Sequence, residues 1–272
     1  MTAVRRPHAS RVTKRCDVLL ALVAIAGLAG DAAAQPATPP ASPTPPPSPR
    51  AAAPIDLTGQ WVAIVNEDWR WRMVTPPKGD YASVPLNDEG RRVADQWDPA
   101  QDGACEAYGA AALLRLPTRL RVRWDGDAEL VVETDAGRQR RNLDFGAPAP
   151  AGARSLQGQS TAKWVMPPRP AGGPGLAGAG GGGAARAGGY LEIKTTNLTA
   201  GWLRRNGVPY SEDAVVTEYF ARFAAPNGDE WLMVTTIVDD PRYLTQRYVT
   251  SSHFRREPDG GRWKPKACGA GS

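Results

Sequence analysis

Histidine is nearly absent from this chain of 272 residues: there are two, His8 and His253, alongside three cysteines, Cys16, Cys105 and Cys268. Zinc and most transition-metal sites draw on several His and Cys ligands, so a centre of clustered imidazoles is excluded and neither a metal nor a cofactor is expected. A Ser-His-Asp centre would have to use His253, yet no serine stands in a Gly-x-Ser-x-Gly elbow. "GQSTA" at 158–162 misses that motif and reads as strand. Nucleotide-binding loops are missing as well. No Gly-x-Gly-x-x-Gly leads from a strand into a helix, and "GAGGGG" lacks the lysine and helix of a phosphate loop.

Long apolar runs are scarce too. The run from Val18 to Gly30 is shorter than the roughly 20 residues a membrane-spanning helix needs. It follows Arg5, Arg6, Arg11, Lys14 and Arg15 and precedes Ala32-Ala33-Ala34, so residues 1–34 are expected to be a secretory signal peptide cleaved after Ala34. A periplasmic or secreted location follows from that reading. No stable membrane span is expected after cleavage. Without this segment the charge falls to 28 basic against 26 acidic residues, an excess of two. So small an excess does not call for a nucleic-acid partner.

Proline fills nine of the twenty positions from 35 to 54, which predicts an extended tether outside the fold. The folded domain is expected over 55–268, interrupted at about 167–189 by a glycine-rich insertion with little to pack. Two cysteines remain beyond the signal, Cys105 and Cys268. In an oxidising compartment they are expected to form a disulfide.

The domain itself is dense in period-two runs. "RLRVRW" alternates Arg119, Arg121 and Arg123 with Leu120, Val122 and Trp124. "ELVVET", "YLEIKTT", "AVVTEYFARF", "EWLMVTTIV" and "YLTQRYVTSSHF" are rich in β-branched and aromatic residues, with Asp-Gly and Asn-Gly turns between runs. One helix is expected after Asn87, which can cap it, with Asp88 and Glu89 suited to its first turn and Val93, Ala94 and Trp97 on one side. A shorter helical turn is expected after Cys105. The pattern predicts an all-β fold, a single antiparallel barrel of about eight to ten strands with one or two short helices.

"DLTGQW" at 56–61, with Arg255 and Arg256 near the end of the last long strand, resembles the closure of lipocalin-type (calycin) barrels, where an arginine packs on the tryptophan of a Gly-x-Trp. More of the chain resembles an uncharacterised family of exported bacterial proteins. The motifs are "DLTGQWV", "EDWRWRMVTPPKGDY", "PLNDEGRRVADQWDP", "GWLRRNGVPYSEDAVVTEYF" and "TTIVDDPRYLTQRYVTSSHF". Its second half is also similar to a wider group with the order Gly158, Ser160, Trp164, then Gly207 to Glu212, Thr217 to Phe220, and Asp240-Pro241. The resemblance implies export but carries no established activity or ligand.

"EDWRWRM" at 67–73 is the sharpest local feature. As a strand it places Trp69 and Trp71 on one face and Arg70 and Arg72 on the other. Tryptophans inward predicts either core packing or a cavity lined by Trp69, Trp71 and Met73, with Lys78, Asp80 and Tyr81 of the following loop at its mouth. The expected role is therefore binding of a small, partly apolar ligand. A hydrolase using paired carboxylates among Glu67, Asp68, Asp80, Glu133, Glu192, Glu212, Asp213, Glu218, Asp239 and Asp240 is a second reading, and a structural envelope protein is a third.

Overall fold

The computed structural model describes residues 45–100, 105–147, 150, 152–167 and 188–269. The expected signal peptide, the first part of the proline-rich segment and nearly all of the glycine-rich insertion lie outside these residues.

Nine strands close a barrel. In chain order they are β1 (Gly59–Ile64), β2 (Arg119–Asp125), β3 (Glu129–Thr134), β5 (Arg140–Asp144), β6 (Gln159–Val165), β7 (Tyr190–Thr196), β10 (Val215–Ala224), β11 (Glu230–Asp239) and β12 (Tyr248–Glu257). Around the barrel the order is β1-β12-β11-β10-β7-β6-β5-β3-β2, and β2 pairs with β1 to close the ring. Four short strands stand outside it. β4 (Ala136–Gly137) pairs in parallel with β13 (Lys266–Ala267), and β8 (Gly201–Arg204) pairs with β9 (Val208–Tyr210) as a hairpin.

One seam departs from the antiparallel expectation. β5 and β6 pair in parallel over only two residue pairs, Leu143 with Ser160 and Asp144 with Thr161. The chain from Phe145 to Gly158 has to cross back to the same end of the barrel before β6 begins, and parallel neighbours need such a crossover.

Alternation along the strands fills the interior. Leu120 and Val122, Leu130 and Val132, Leu191 and Ile193, Leu232 and Val234, with Trp61, Leu143, Phe220 and Phe254, are all buried in one cluster. Deeper toward the other end the inner residues turn polar. Arg141 donates to both carboxylate oxygens of Glu218 at 3.0 and 2.5 Å and to Thr195 Oγ1 at 3.1 Å, while Ser160 Oγ meets Thr195 Oγ1 at 2.8 Å. Both ends are stoppered. Trp124, Phe145 and Trp164 pack with centroids 5.4–6.4 Å apart at one end. At the other, a second apolar cluster joins Val216, Val238 and Tyr248 of the strands to Ala94, Val208 and Tyr210. The barrel is a packed core.

Closure uses the Gly-x-Trp stretch. Trp61 is paired in register with Arg256, whose guanidinium lies 5.7 Å from the indole centroid. Gly59 has φ +127°, and a Cβ there would stand 3.3 Å from Arg256 Nη2, so a side chain would crowd the guanidinium.

The helices obey local signals in one case and not in the other. α2 (Asp88–Gln96) starts where expected, with Asn87 Oδ1 accepting from Gly90 N at 2.8 Å and Asp88 and Glu89 in the first turn. A 3₁₀ turn, Glu106–Tyr108, follows Cys105, and a second covers Leu113–Arg115. "WRWR", by contrast, is not a strand: Trp69–Arg72 is a single helical turn, α1. Asp68 adopts φ 51°, reversing the chain after β1, and its carbonyl accepts from Trp71 N and Arg72 N at 2.9 and 3.1 Å.

The tail and the entry segment are tied down. Cys105 and Cys268 form a disulfide with Cα atoms 5.2 Å apart, across 163 residues of chain. The fold begins earlier than Ile55. Pro49 O accepts from Trp164 Nε1 at 2.8 Å and Arg50 N donates to Asp127 O at 3.0 Å, so part of the segment expected to be a free tether lies against the barrel.

Candidate functional site

Because α1 is helical, the expected two-face assignment breaks down: Arg70 is exposed and Trp71 half-buried as expected, but the other three side chains are on the wrong side. Trp69 is 64% exposed and Met73 51% exposed, whereas Arg72, expected outside, is 3% exposed. None of these three side chains lines the barrel interior. Lys78 is exposed, and Tyr81 is buried with its hydroxyl donating to Asp95 Oδ1 at 2.9 Å. Burial and that carboxylate push the Tyr81 pKa up. Asp80 clamps α1 from the loop: Oδ2 accepts from Arg70 and, at 3.0 Å, from Trp71 Nε1. These donors, Arg70 first, hold the Asp80 carboxyl below its ordinary range. Of the six expected ligand-binding residues, Trp71 is the one that borders a cavity described below.

Two neighbouring depressions lie where α1, the 106–117 segment, the β8–β9 hairpin and the C-terminal tail meet. The larger, a crevice of about 380 Å³, is walled by Tyr108, Leu116, Pro117, Ala136, Gly137 and Ala267 and by Arg119, Arg205, Arg262, Lys264 and Lys266. Five basic side chains and one carboxylate, Asp135, line it, and Glu257 behind them pairs with Arg119 at 2.9 Å and with Arg262 at 3.9 Å. That carboxylate is engaged inward: Oδ1 accepts from Thr118 Oγ1 at 2.8 Å and Arg119 N at 2.7 Å. The disulfide builds two of the walls. Cys268 follows β13, which carries Lys266 and Ala267, and Cys105 precedes the turn that carries Tyr108. Gly137, at φ +74°, lets the Tyr108 ring close in; a Cβ there would come within 2.3 Å of the ring.

The smaller depression, about 20 Å³, is bordered by Trp71, Arg72, Arg115, Arg204 and Arg205 with Ala107, Ala112, Leu116 and Leu203. Leu116 and Arg205 border both cavities.

Sequence reasoning missed Arg204 and Arg205, because a basic pair beside an Asn-Gly turn looks the same whether buried or solvated. It also missed Arg72 and Arg115 as buried groups. A signal did exist for Arg262, Lys264 and Lys266: the expected disulfide already drew this basic tail onto the body.

Several of the other candidates are engaged by protein groups. Asp240 accepts from Ser211 N at 2.6 Å and Ser211 Oγ at 2.8 Å, Asp213 meets Arg154, Asp239 meets Arg247, and Glu218 is held by Arg141. His253 contacts the Glu67 carboxylate, whose other oxygen accepts from Arg72 at 3.0 Å. Among the described residues no group of three or more His, Cys, Asp or Glu side chains is placed to hold a metal ion, and no helix is long and apolar enough to cross a membrane. Comparison with protein-family models, curated proteins and solved structures returned no match.

Proposed function

We propose that this is an exported, non-catalytic binding protein that holds a small, partly apolar ligand outside the barrel, in the crevice between the disulfide-tethered tail and the 106–117 segment. The carrying observation is the crevice itself, lined by apolar side chains together with five basic ones. Its volume of about 380 Å³ falls within the range of small-ligand pockets, roughly 300–1,000 Å³. The packed barrel supports a site outside the strands in place of one in the lumen. Hydrolysis has less support, since the buried carboxylates Asp135, Glu218 and Asp240 are each taken by protein donors.

Native mass spectrometry of protein purified from its own compartment tests this reading. A retained small molecule is expected, and exchanging both Arg262 and Lys264 for Ala should release it while the far-ultraviolet spectrum stays unchanged. A bare protein mass in every preparation, or equal retention by the double variant, counts against it. The exposed Trp69, Met73 and Val74 favour the structural reading as runner-up. Loss of cellular co-purification partners on Trp69→Ser, with no ligand found, would move the balance there.

A further inference from the structure

Arg204 is 5% exposed, and its Nε, Nη1 and Nη2 have no hydrogen-bond partner among the described residues. A guanidinium carries five donors and a permanent charge, and removing it from water without an anion is among the costlier arrangements a protein can keep. Among the described residues, the carboxylates around this cavity are already engaged by other arginines. Arg72 spends Nη1 on Glu67 at 3.0 Å and Nε on Arg115 O at 2.8 Å, and Arg115 spends Nη2 on Asp68 at 2.6 Å. Asp80 is held by Arg70 and Trp71. Arg70, Arg72 and Arg115 thus engage Asp80, Glu67 and Asp68 one to one, and none of these three carboxylates is paired with Arg204. Arg72 also leaves Nη2 without a hydrogen-bond partner among the described residues.

The position of Arg204 is fixed by stacking. Its guanidinium carbon lies 4.8 Å from the Trp71 ring centroid, and that of Arg70 lies over the same ring at 4.7 Å. Trp71 is in turn pinned by Asp80. The fork of Arg204 is therefore preorganised on a ring, at the border of a cavity whose other walls include Arg72, Arg115 and Arg205.

We infer that this cavity is a receptor for a small oxyanion, a carboxylate or phosphate group, with Arg204 as its principal donor and Trp71 as the platform that holds Arg204 in place. A cavity of about 20 Å³ takes roughly one water-sized group, so an oxygen of the anion enters while the remainder lies in the opening. A planar carboxylate matches the guanidinium fork with two parallel hydrogen bonds. The site differs from the larger crevice, sharing only Leu116 and Arg205 with it, and does not depend on the crevice holding a ligand.

The test follows the thermal midpoint of the full chain as chloride is replaced by acetate or by inorganic phosphate at constant ionic strength. The wild type should be stabilised saturably by at least one of them, because an anion bound by the native state alone shifts the folding equilibrium. Arg204→Met should lose that response, with affinity reduced by about tenfold or more, and in chloride alone should melt no lower than the wild type, since an uncompensated charge has been removed. Arg204→Lys should keep a weakened response. Acetate against phosphate as the stronger stabiliser assigns the class. An equal anion response in Arg204→Met overturns the inference, as does a wild type indifferent to both anions. Should Arg204→Met fail to fold, the fluorescence difference between wild type and Trp71→Phe decides: a saturable change on adding anion supports the site, and no change overturns it.

Discussion

Individual side chains in this protein show how burial redistributes polar and apolar character against local expectation. Arg141 and Glu218 sit inside the barrel wall at 1% and 0% side-chain exposure. The pair is bidentate and further bonded to Thr195, yet Arg141 Nε has no partner. Breaking such a pair strands a buried charge, whereas replacing both members leaves only a packing problem. Arg141→Met is therefore expected to destabilise by about 3–5 kcal/mol, and Arg141→Met combined with Glu218→Leu by less than the single change. Urea denaturation of the three proteins gives the comparison. A double variant weaker than Arg141→Met would show that the polar layer holds the barrel together on its own account. Trp69 provides the opposite case, a large apolar ring left in solvent.

At the scale of elements, α1 is held by tertiary partners far more than by its own four residues, since a single helical turn is unfavourable in isolation. Asp80 fixes Arg70 and Trp71, Glu67 and Arg115 O fix Arg72, and Arg205 Nη2 reaches Arg72 O at 3.5 Å. The Asp80 carboxyl titrates below its ordinary 3.8, with Arg70 as the largest cause. For a carboxylate with a lowered folded value, the contribution is present above the unfolded pKa and fades as pH falls through the folded one. The Trp71 environment, read as the fluorescence difference between wild type and Trp71→Phe, should thus stay constant from neutral pH down to about 4 and change only below that. A transition centred above pH 4 would mean that Asp80 does not clamp the turn. α2 stands apart from α1 in this respect, because Asn87, Asp88 and Glu89 specify its start through contacts within three residues.

For the whole molecule, the Cys105–Cys268 bridge spans 163 residues and joins the tail to the 106–117 segment, whose Leu113 and Leu114 pack into the core cluster. In the chain-entropy account a loop of this size contributes roughly 5 kcal/mol, although strain and residual unfolded structure reduce it. Replacing both cysteines by Ser is expected to lower the denaturation midpoint and to cost more in crevice binding than in barrel content. β4 and β13 share only two residue pairs, whereas each barrel strand has two neighbours. Non-reducing peptide mapping together with a circular-dichroism melt checks both halves of the claim. Two free thiols in native material, or a variant that loses its β-sheet signal at room temperature, would contradict it.

The sequence by itself determined the elements whose signals are local or repeated. Alternation in "RLRVRW" or "EWLMVTTIV" has one consistent buried face, Asn87 and the acidic first turn announce a helix, and two cysteines left in the domain have only each other. The closing contact on Trp61 was expected only through the resemblance of "DLTGQW" and the Arg255-Arg256 pair to lipocalin-type closure, and the register of β1 against β12 decided that Arg256 makes it. Only the tertiary structure decided the rest. Four residues of alternating Trp and Arg fit a strand and a helical turn equally well, and the choice fell to Asp68 in a left-handed conformation and to carboxylates and carbonyls contributed from elsewhere. The parallel β5–β6 seam depended on where a 14-residue crossover could return, which no local pattern encodes. Nor could the neighbourhood of Arg72, Arg115 and Arg204 be read from their spacing. A guanidinium's burial depends on what the fold packs over it, and those groups arrive from strands and turns far apart in the chain.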